Sequence, residues 1–231
     1  MHVLITSAGS RLGRVAAQAI NVSGHSVRLT HHSRFRSDYE VVQSQLGHGK
    51  ATDRLVKDID VVVHIPDPGP NPTSAAWIDA GTRRSYNLYT AAVNAGVKRL
   101  IYISTLDLFT RYDEDMVVSE SWRPLPSTDS EQMGIYLGEF VGEEFAQEKR
   151  LAVTFLRLGH LVKASNAKKE SYDPMWLEFS DAAQAITAAV NRSGDMSIFQ
   201  IFHVQSASPK ARFRIEAARS ALDFNPKHNF V

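Results

Sequence analysis

The sequence predicts an α/β fold, a doubly wound parallel sheet with helices on both faces. Two observations predict it. Short apolar runs of strand length alternate with longer amphipathic stretches, the pattern of strand–helix–strand units. The first of these units also carries a turn of small residues, Thr6 to Gly13, between its strand and its helix. With 231 residues, 43% hydrophobic and 22% charged, the chain suffices for one domain, or one domain with a small appendage, and reads as a single compact α/β domain.

The elements follow in order. His2 to Thr6 reads as the first strand, Leu12 to Asn21 as a helix and Ser26 to Thr30 as the second strand. Tyr39 to Gln43 fits a short edge strand, Ala51 to Lys57 a short helix opened by Thr52 or Asp53, and Asp60 to Ile65 a buried strand. The loop Pro66 to Pro72 holds four of the nine prolines and continues neither strand nor helix. Thr82 to Ala95 places Tyr86, Tyr89, Ala92 and Val93 at helical spacing, with Gly96 as the residue after the C-cap. A strand from Arg99 to Ser104, a long helix from Asp129 to Lys149 and a strand from Leu151 to Leu156 come next. Gly159 to Pro174 reads as irregular, Met175 to Phe179 as a short apolar run, and a helix capped by Ser180 runs to about Asn191. A strand from Ile198 to Val204 and a helix from about Pro209 to Leu222 end the pattern.

Composition excludes several functions. The 26 basic and 25 acidic residues nearly cancel, so nucleic acid is not the expected partner. Without cysteine there is no disulfide scaffold, thiolate metal site or thiol nucleophile, and the chemistry falls to oxygen, nitrogen or a cofactor. No apolar stretch approaches the roughly 20 residues of a membrane span, and Met1 leads directly into a strand pattern, so a cytoplasmic protein without membrane contact is expected. Nine histidines invite a metal reading, but none forms an i, i+4 ligand pair with a nearby carboxylate, and no metal site is expected. His31 and His32 read as a polar turn, His64 as a bonded core residue, and His160 as facing either a cleft or, slightly preferred, the solvent.

The first turn carries the functional argument. A strand feeding a small-residue turn and a helix N-terminus offers free backbone N–H groups that cradle a pyrophosphate. The strict dinucleotide fingerprint wants glycine where Ser7 and Ser10 stand, and only Gly13 is kept. The plainer alternative is a strand–helix turn capped by Ser10.

Six segments in order resemble the extended short-chain dehydrogenase/reductases, in their NAD-dependent epimerase/dehydratase group. They are Ile5 to Arg14 (the glycine-rich opening), Asp60 to Ile65, Asn87 to Arg99, Tyr102 to Thr105, Glu120 before the long helix, and Ala218 to Pro226. The closing segment and the length are similar to uronate-dehydrogenase-like members. The resemblance implies a Rossmann-type sheet with a substrate lobe, here reduced and formed mainly by residues 158–180 and 205–231. It implies a dinucleotide touching Thr6, Ser7, Gly9, Ser10, Arg11, Leu12, Gly13, His31, Arg34 and Ile65. NADP is favoured over NAD, because no acid stands at Thr30 to Arg34 for the ribose hydroxyls, while Arg34 or Arg36 suits a 2′-phosphate. It further implies Thr105, with Ser104 beside it, orienting a substrate oxygen, and Tyr136 as acid/base.

The lysine that family members place four residues after the tyrosine is replaced here by Phe140, and Pro66 and Asp67 replace two small residues. A free phenol stays protonated at neutral pH without such a cation. Two functions follow: an NAD(P)-dependent oxidoreductase or epimerase acting on a small sugar-type or carbonyl substrate with an altered site, or a relative that has lost catalysis and serves as a cofactor-binding sensor or scaffold, with or without a bound cofactor. A homodimer is expected through helices 82–95 and 129–149, the pair family members use.

Overall fold

The computed structural model describes residues 1–167, 169, 171–192 and 197–230. Seven parallel strands form one sheet: β1 (His2–Ile5), β2 (Ser26–Leu29), β3 (Glu40–Val41), β4 (Val61–His64), β5 (Arg99–Thr105), β6 (Ala152–Leu158) and β9 (Phe199–Val204), in the spatial order β3-β2-β1-β4-β5-β6-β9. The order runs outward in opposite directions from β1 and β4. Their carboxyl ends therefore flank the switch point where open α/β sheets bind ligands.

The two-residue period of the strands explains why both faces are covered. Val3, Ile5, Val61, Val63, Ile101, Ile103, Leu156 and Leu158 enter one core, packed by α1 (Arg11–Val22), α7 (Phe179–Asn191) and α8 (Glu216–Leu222). Leu4, Val62, Leu100, Tyr102, Val153 and Phe155 enter the other, packed by α2 (Lys50–Leu55), α4 (Ser85–Asn94) and α5 (Ser130–Gln147). Strands buried on both sides read as continuous apolar runs, which is why they stood out.

Several boundaries differ from the sequence reading. The helix expected at Thr82 begins earlier, at α3 (Ser74–Asp79), where the Thr73 hydroxyl accepts from the Ala76 N–H, and passes through a π turn at Ala80–Arg84 into α4. No residue of α3 is buried, so the segment had no apolar period to read. The π turn brings Gly81 against α5 so closely that a Cβ there would lie 1.7 Å from the Gly134 carbonyl oxygen. The cap of α7 is Glu178, which accepts from the Ser180 N–H, and Ser180 is already inside the helix.

The last helix starts at Glu216 and not near Pro209, because Phe213 bridges Val118: the Arg214 N–H donates to Val118 O and the Val118 N–H to Arg212 O, which holds the chain extended. The stretch read as irregular holds β7 (His160–Val162) and α6 (Ala164–Ala167), and β7 pairs in parallel with β8 (Trp176–Glu178), which forms from the short apolar run after it. No helix among the described residues is long and apolar enough to cross a membrane.

Candidate active site

A cleft of about 260 Å³ opens at the carboxyl ends of β4, β5 and β6. Leu12, Ile65 and Pro66, then Ser104, Thr105, Asp107, Glu131 and Ile135, and Leu158, Gly159 and His160 are among the residues that line it. Thr105 closes β5 and caps a short 3-10 turn, Leu106–Phe109: its hydroxyl accepts from the Asp107 N–H and donates to Asp107 Oδ2 at 2.8 Å. Ser104 Oγ is buried and has no hydrogen-bond partner among the described residues.

His160 reaches the same place from a tight corner. A Cβ on Gly159 would lie 2.1 Å from the Met175 carbonyl oxygen, so glycine lets β6 turn directly into β7. The imidazole is then held between two acids, Nε2 at 2.7 Å from Asp107 Oδ1 and Nδ1 against Asp173 Oδ2. The hydrogen bond to Asp107, against the opposing effect of burial, and a second bond to Asp173 raise its pKa to about 9. At neutral pH it is an imidazolium donating from both nitrogens. Burial pushes the Asp107 carboxyl up, but the bonds from His160 and Thr105 outweigh it and hold Asp107 below the usual carboxylate range. Glu131, at the start of α5, is pushed up by partial burial and by repulsion from Asp129 and Asp107. Sequence reasoning weighed His160 against a surface position and missed both aspartates, which come from other loops.

The helix α5 presents a different face than its tyrosine suggested. Ile135, not Tyr136, lines the cleft. The Tyr136 side chain packs with the Leu106, Phe109, Val118 and Phe213 cluster and borders a separate cavity of about 160 Å³ with Glu120, Trp122 and Arg157. Helical rotation of about 100° per residue is the reason, and the small residues Gly134, Gly138 and Gly142 show which face is pressed inward.

One turn after Ile135 stands Glu139, buried and bound bidentately by Arg157 at 2.9 and 2.8 Å. Neither register of the helix therefore places a phenol with a lysine one turn later in the cleft. Phe140 is half exposed on the outside. His64 is buried, with Nδ1 bonded to Thr6 Oγ1 and Nε2 to Ser85 Oγ, and burial lowers its pKa to about 3, so it stays neutral.

The first turn keeps the shape of a phosphate cradle. Ser7 adopts φ +49°, where glycine is the residue of choice, and its hydroxyl donates to Ile65 O. Ser10 caps α1 by accepting from the Gly13 N–H, and the backbone N–H groups of Arg11 and Leu12, first in the helix, have no intrahelical partner. The Arg11 guanidinium lies over the Phe179 ring, and Arg34 is exposed.

The free N–H groups at the start of α1 fit a dinucleotide's pyrophosphate. The dinucleotide does not fit the corner expected for the ribose. There the His31 ring rests on Gly9 so closely that a Cβ would come within 2.4 Å of it. With His32 and Asp67 it leaves only about 20 Å³ between Thr30, Ser44 and Leu46. Burial first, then the neighbouring His32, lower the His31 pKa.

A sequence profile of the NAD-dependent epimerase/dehydratase family matches residues 3–175. An L-arabinose 1-dehydrogenase (NAD(P)(+)) of Haloferax volcanii is 26% identical over 99% of this chain and 97% of its own length. A uronate dehydrogenase of Pseudomonas syringae pv. tomato is 22% identical over 82% of this chain and 69% of its own. Among solved structures, a uronate dehydrogenase from Agrobacterium tumefaciens superimposes with a TM-score of 0.84 at 20% identity, over 99% of this chain and 85% of that one. A UDP-N-acetylglucosamine 4-epimerase from Bacillus cereus does so with a TM-score of 0.81 at 20% identity, over 100% and 95%. These structures share the doubly wound fold.

Proposed function

The chain belongs to the NAD-dependent epimerase/dehydratase family, and from that premise we propose that it is an oxidoreductase acting on a small sugar-type or carbonyl substrate in the cleft above β5 and β6. The observation that carries this reading is the hydrogen-bonded line from the Thr105 hydroxyl through Asp107 to the His160 imidazolium. Such a line gives a substrate oxygen a proton path that needs neither tyrosine nor lysine. A substrate hydroxyl donating to Thr105 Oγ1 meets an oxygen whose own proton already points at Asp107, and His160 stores or releases the proton at the far end. Ser104, which lines the cleft beside Thr105, is proposed to orient the same substrate oxygen. Ile135 and Leu158 keep water from the reacting centre.

A nicotinamide dinucleotide, when bound, supplies hydride transfer. Thr6, Ser7, Gly9, Ser10, Arg11, Leu12, Gly13 and Ile65 would hold it, with His31 displaced from its corner. NADP is favoured over NAD by the guanidinium groups of Arg34 and Arg36, both exposed on the loop after β2. The cleft is smaller than the roughly 300–1,000 Å³ of sites for drug-sized ligands. That size favours a free monosaccharide, lactone or small aldehyde over a nucleotide sugar, in keeping with the arabinose and uronate named for the two relatives. Leu158, Gly159, His160 and Leu161, at the start of the proposed substrate lobe, supply one wall of the cleft.

Fluorescence titration of the purified protein with NADPH and NADH tests the reading. Binding in the micromolar range, tighter for NADPH, is expected, followed by turnover with pentoses, hexuronates, lactones or aldehydes. No binding at millimolar dinucleotide removes the proposal. Binding without turnover on any of these substrates supports a second reading, a non-catalytic sensor or scaffold, which Ile135 and the buried Glu139 at the expected acid/base face favour.

The half-exposed Tyr86 on α4 and Phe140 on α5 further support a homodimer through helices 82–95 and 129–149. Light scattering is expected to give twice the chain mass, reduced toward the single chain by Phe140→Asp. A wild-type monomer at high micromolar concentration rules the pairing out.

A further inference from the structure

We propose that His31, His32 and Asp67 form a binding site for a divalent transition-metal ion, of the zinc or cobalt type. The three residues converge from two loops: the histidines follow β2 and the aspartate follows β4, on either side of the end of β1. One ligand atom from each lies within 4.8 Å of the others. Asp67 Oδ2 stands 3.6 Å from His31 Nδ1 and 3.4 Å from His32 Nδ1.

These separations are too long for good hydrogen bonds. They match the geometry of an ion instead. With zinc–ligand bonds of about 2.0–2.1 Å, tetrahedral ligand atoms lie about 3.3–3.4 Å apart. Both Nδ1 atoms are buried and have no hydrogen-bond partner among the described residues, an arrangement that costs stability unless something binds them. A cation coordinated by both nitrogens and the carboxylate oxygen satisfies all three at once.

The surroundings hold the donors in place. Asp67 Oδ1 accepts from the Gly69 N–H at 2.7 Å, which turns Oδ2 toward the imidazoles. The His32 carbonyl oxygen accepts from the side-chain amides of Gln43 and Gln45. The His31 ring is seated on Gly9, and the two rings lie 4.0 Å apart between centroids. The nearby guanidinium groups do not compete for the carboxylate: Arg84 bonds the Asp67 carbonyl oxygen and Asp79, and Arg14 the Gly9 carbonyl oxygen.

Two imidazoles and one carboxylate select zinc, cobalt or nickel over magnesium and calcium, which prefer oxygen alone. A chain without cysteine offers no thiolate to draw copper(I). Three protein ligands leave a fourth position for water or a ligand oxygen. The dinucleotide of the proposed function would displace His31, so ion and dinucleotide compete for this corner and the ion is titrated in the absence of dinucleotide.

The test uses the full chain, stripped with a chelator and without a histidine tag. Calorimetric titration with Zn²⁺ is expected to show one equivalent bound at micromolar or tighter affinity, and Co²⁺ to give the visible absorption of a four-coordinate ion. His32→Gln and Asp67→Asn, checked for folding by circular dichroism, are each expected to weaken binding about 100-fold or more. His48→Ala, at an exposed histidine on another loop, is expected to leave it unchanged. If either ligand variant misfolds, the wild-type thermal midpoint still decides: it should rise with Zn²⁺ and return with chelator. Absence of binding at sub-millimolar zinc, or binding that the folded ligand variants retain, overturns the proposal.

Discussion

Replacing Arg157 with leucine is expected to cost the fold about 3–5 kcal/mol, read as a fall in the urea midpoint at constant slope. The guanidinium and the Glu139 carboxylate are almost wholly removed from solvent and joined by two bonds, with the cation also over the Phe109 ring. Losing the cation strands a carboxylate among Tyr89, Tyr102 and Phe155 of the second core. The double variant Glu139→Leu/Arg157→Leu should recover most of the loss, since an apolar pair leaves no buried charge to satisfy. A single variant within 1 kcal/mol of wild type at pH 8 would mean that water already reaches the pair.

The same pair shows where sequence reading stops. Strands β1, β4 and β5 and, to within two residues, the extent of α5 were legible because their signals are local: apolar runs and the turns between them. The azimuth of α5 is not local. Tyrosine stood one residue from the cleft-facing position, and a spacing test between Tyr136 and Phe140 cannot show that the helix turns Ile135 and Glu139 inward. The usable signal was the four-residue repeat of Gly134, Gly138 and Gly142, since a helix presses its smallest side chains against its neighbours. Gly138 leaves room for the Tyr102 hydroxyl and Gly134 for the Trp77 carbonyl.

The triad of Asp107, His160 and Asp173 and the cluster of His31, His32 and Asp67 share one difficulty. Each is assembled by the sheet from separate loops. Adjacent histidines in a sequence show nothing until the end of β4 brings Asp67 beside them.

His160→Gln is expected to lower turnover about 100-fold, within the range that positioned acid–base groups supply. Its clearer mark is on pH dependence. The wild-type imidazole has a folded pKa of about 9, above the usual 6.5, because Asp107 and Asp173 hold its charged form. A raised pKa means that the folded state binds the proton more tightly. The stability this contributes is fully present below about pH 6.5 and is lost as pH rises through about 9. With the ring part-exposed and screened by solvent, the contribution is about 1 kcal/mol. The wild-type urea midpoint should thus fall between pH 7 and pH 10, and the variant should show that fall reduced. Catalysis should move with the same proton. Oxidation of a hydroxyl needs a vacant acceptor at the end of the line and should quicken as His160 loses its proton near pH 9, whereas reduction of a carbonyl should slow over the same interval. Nitrogen-15 NMR of the imidazole reports the titration directly, and a midpoint near 6.5 would remove both effects, because the ring would already be neutral at pH 7.5, no counterion to Asp107 and with no proton left to lose near pH 9.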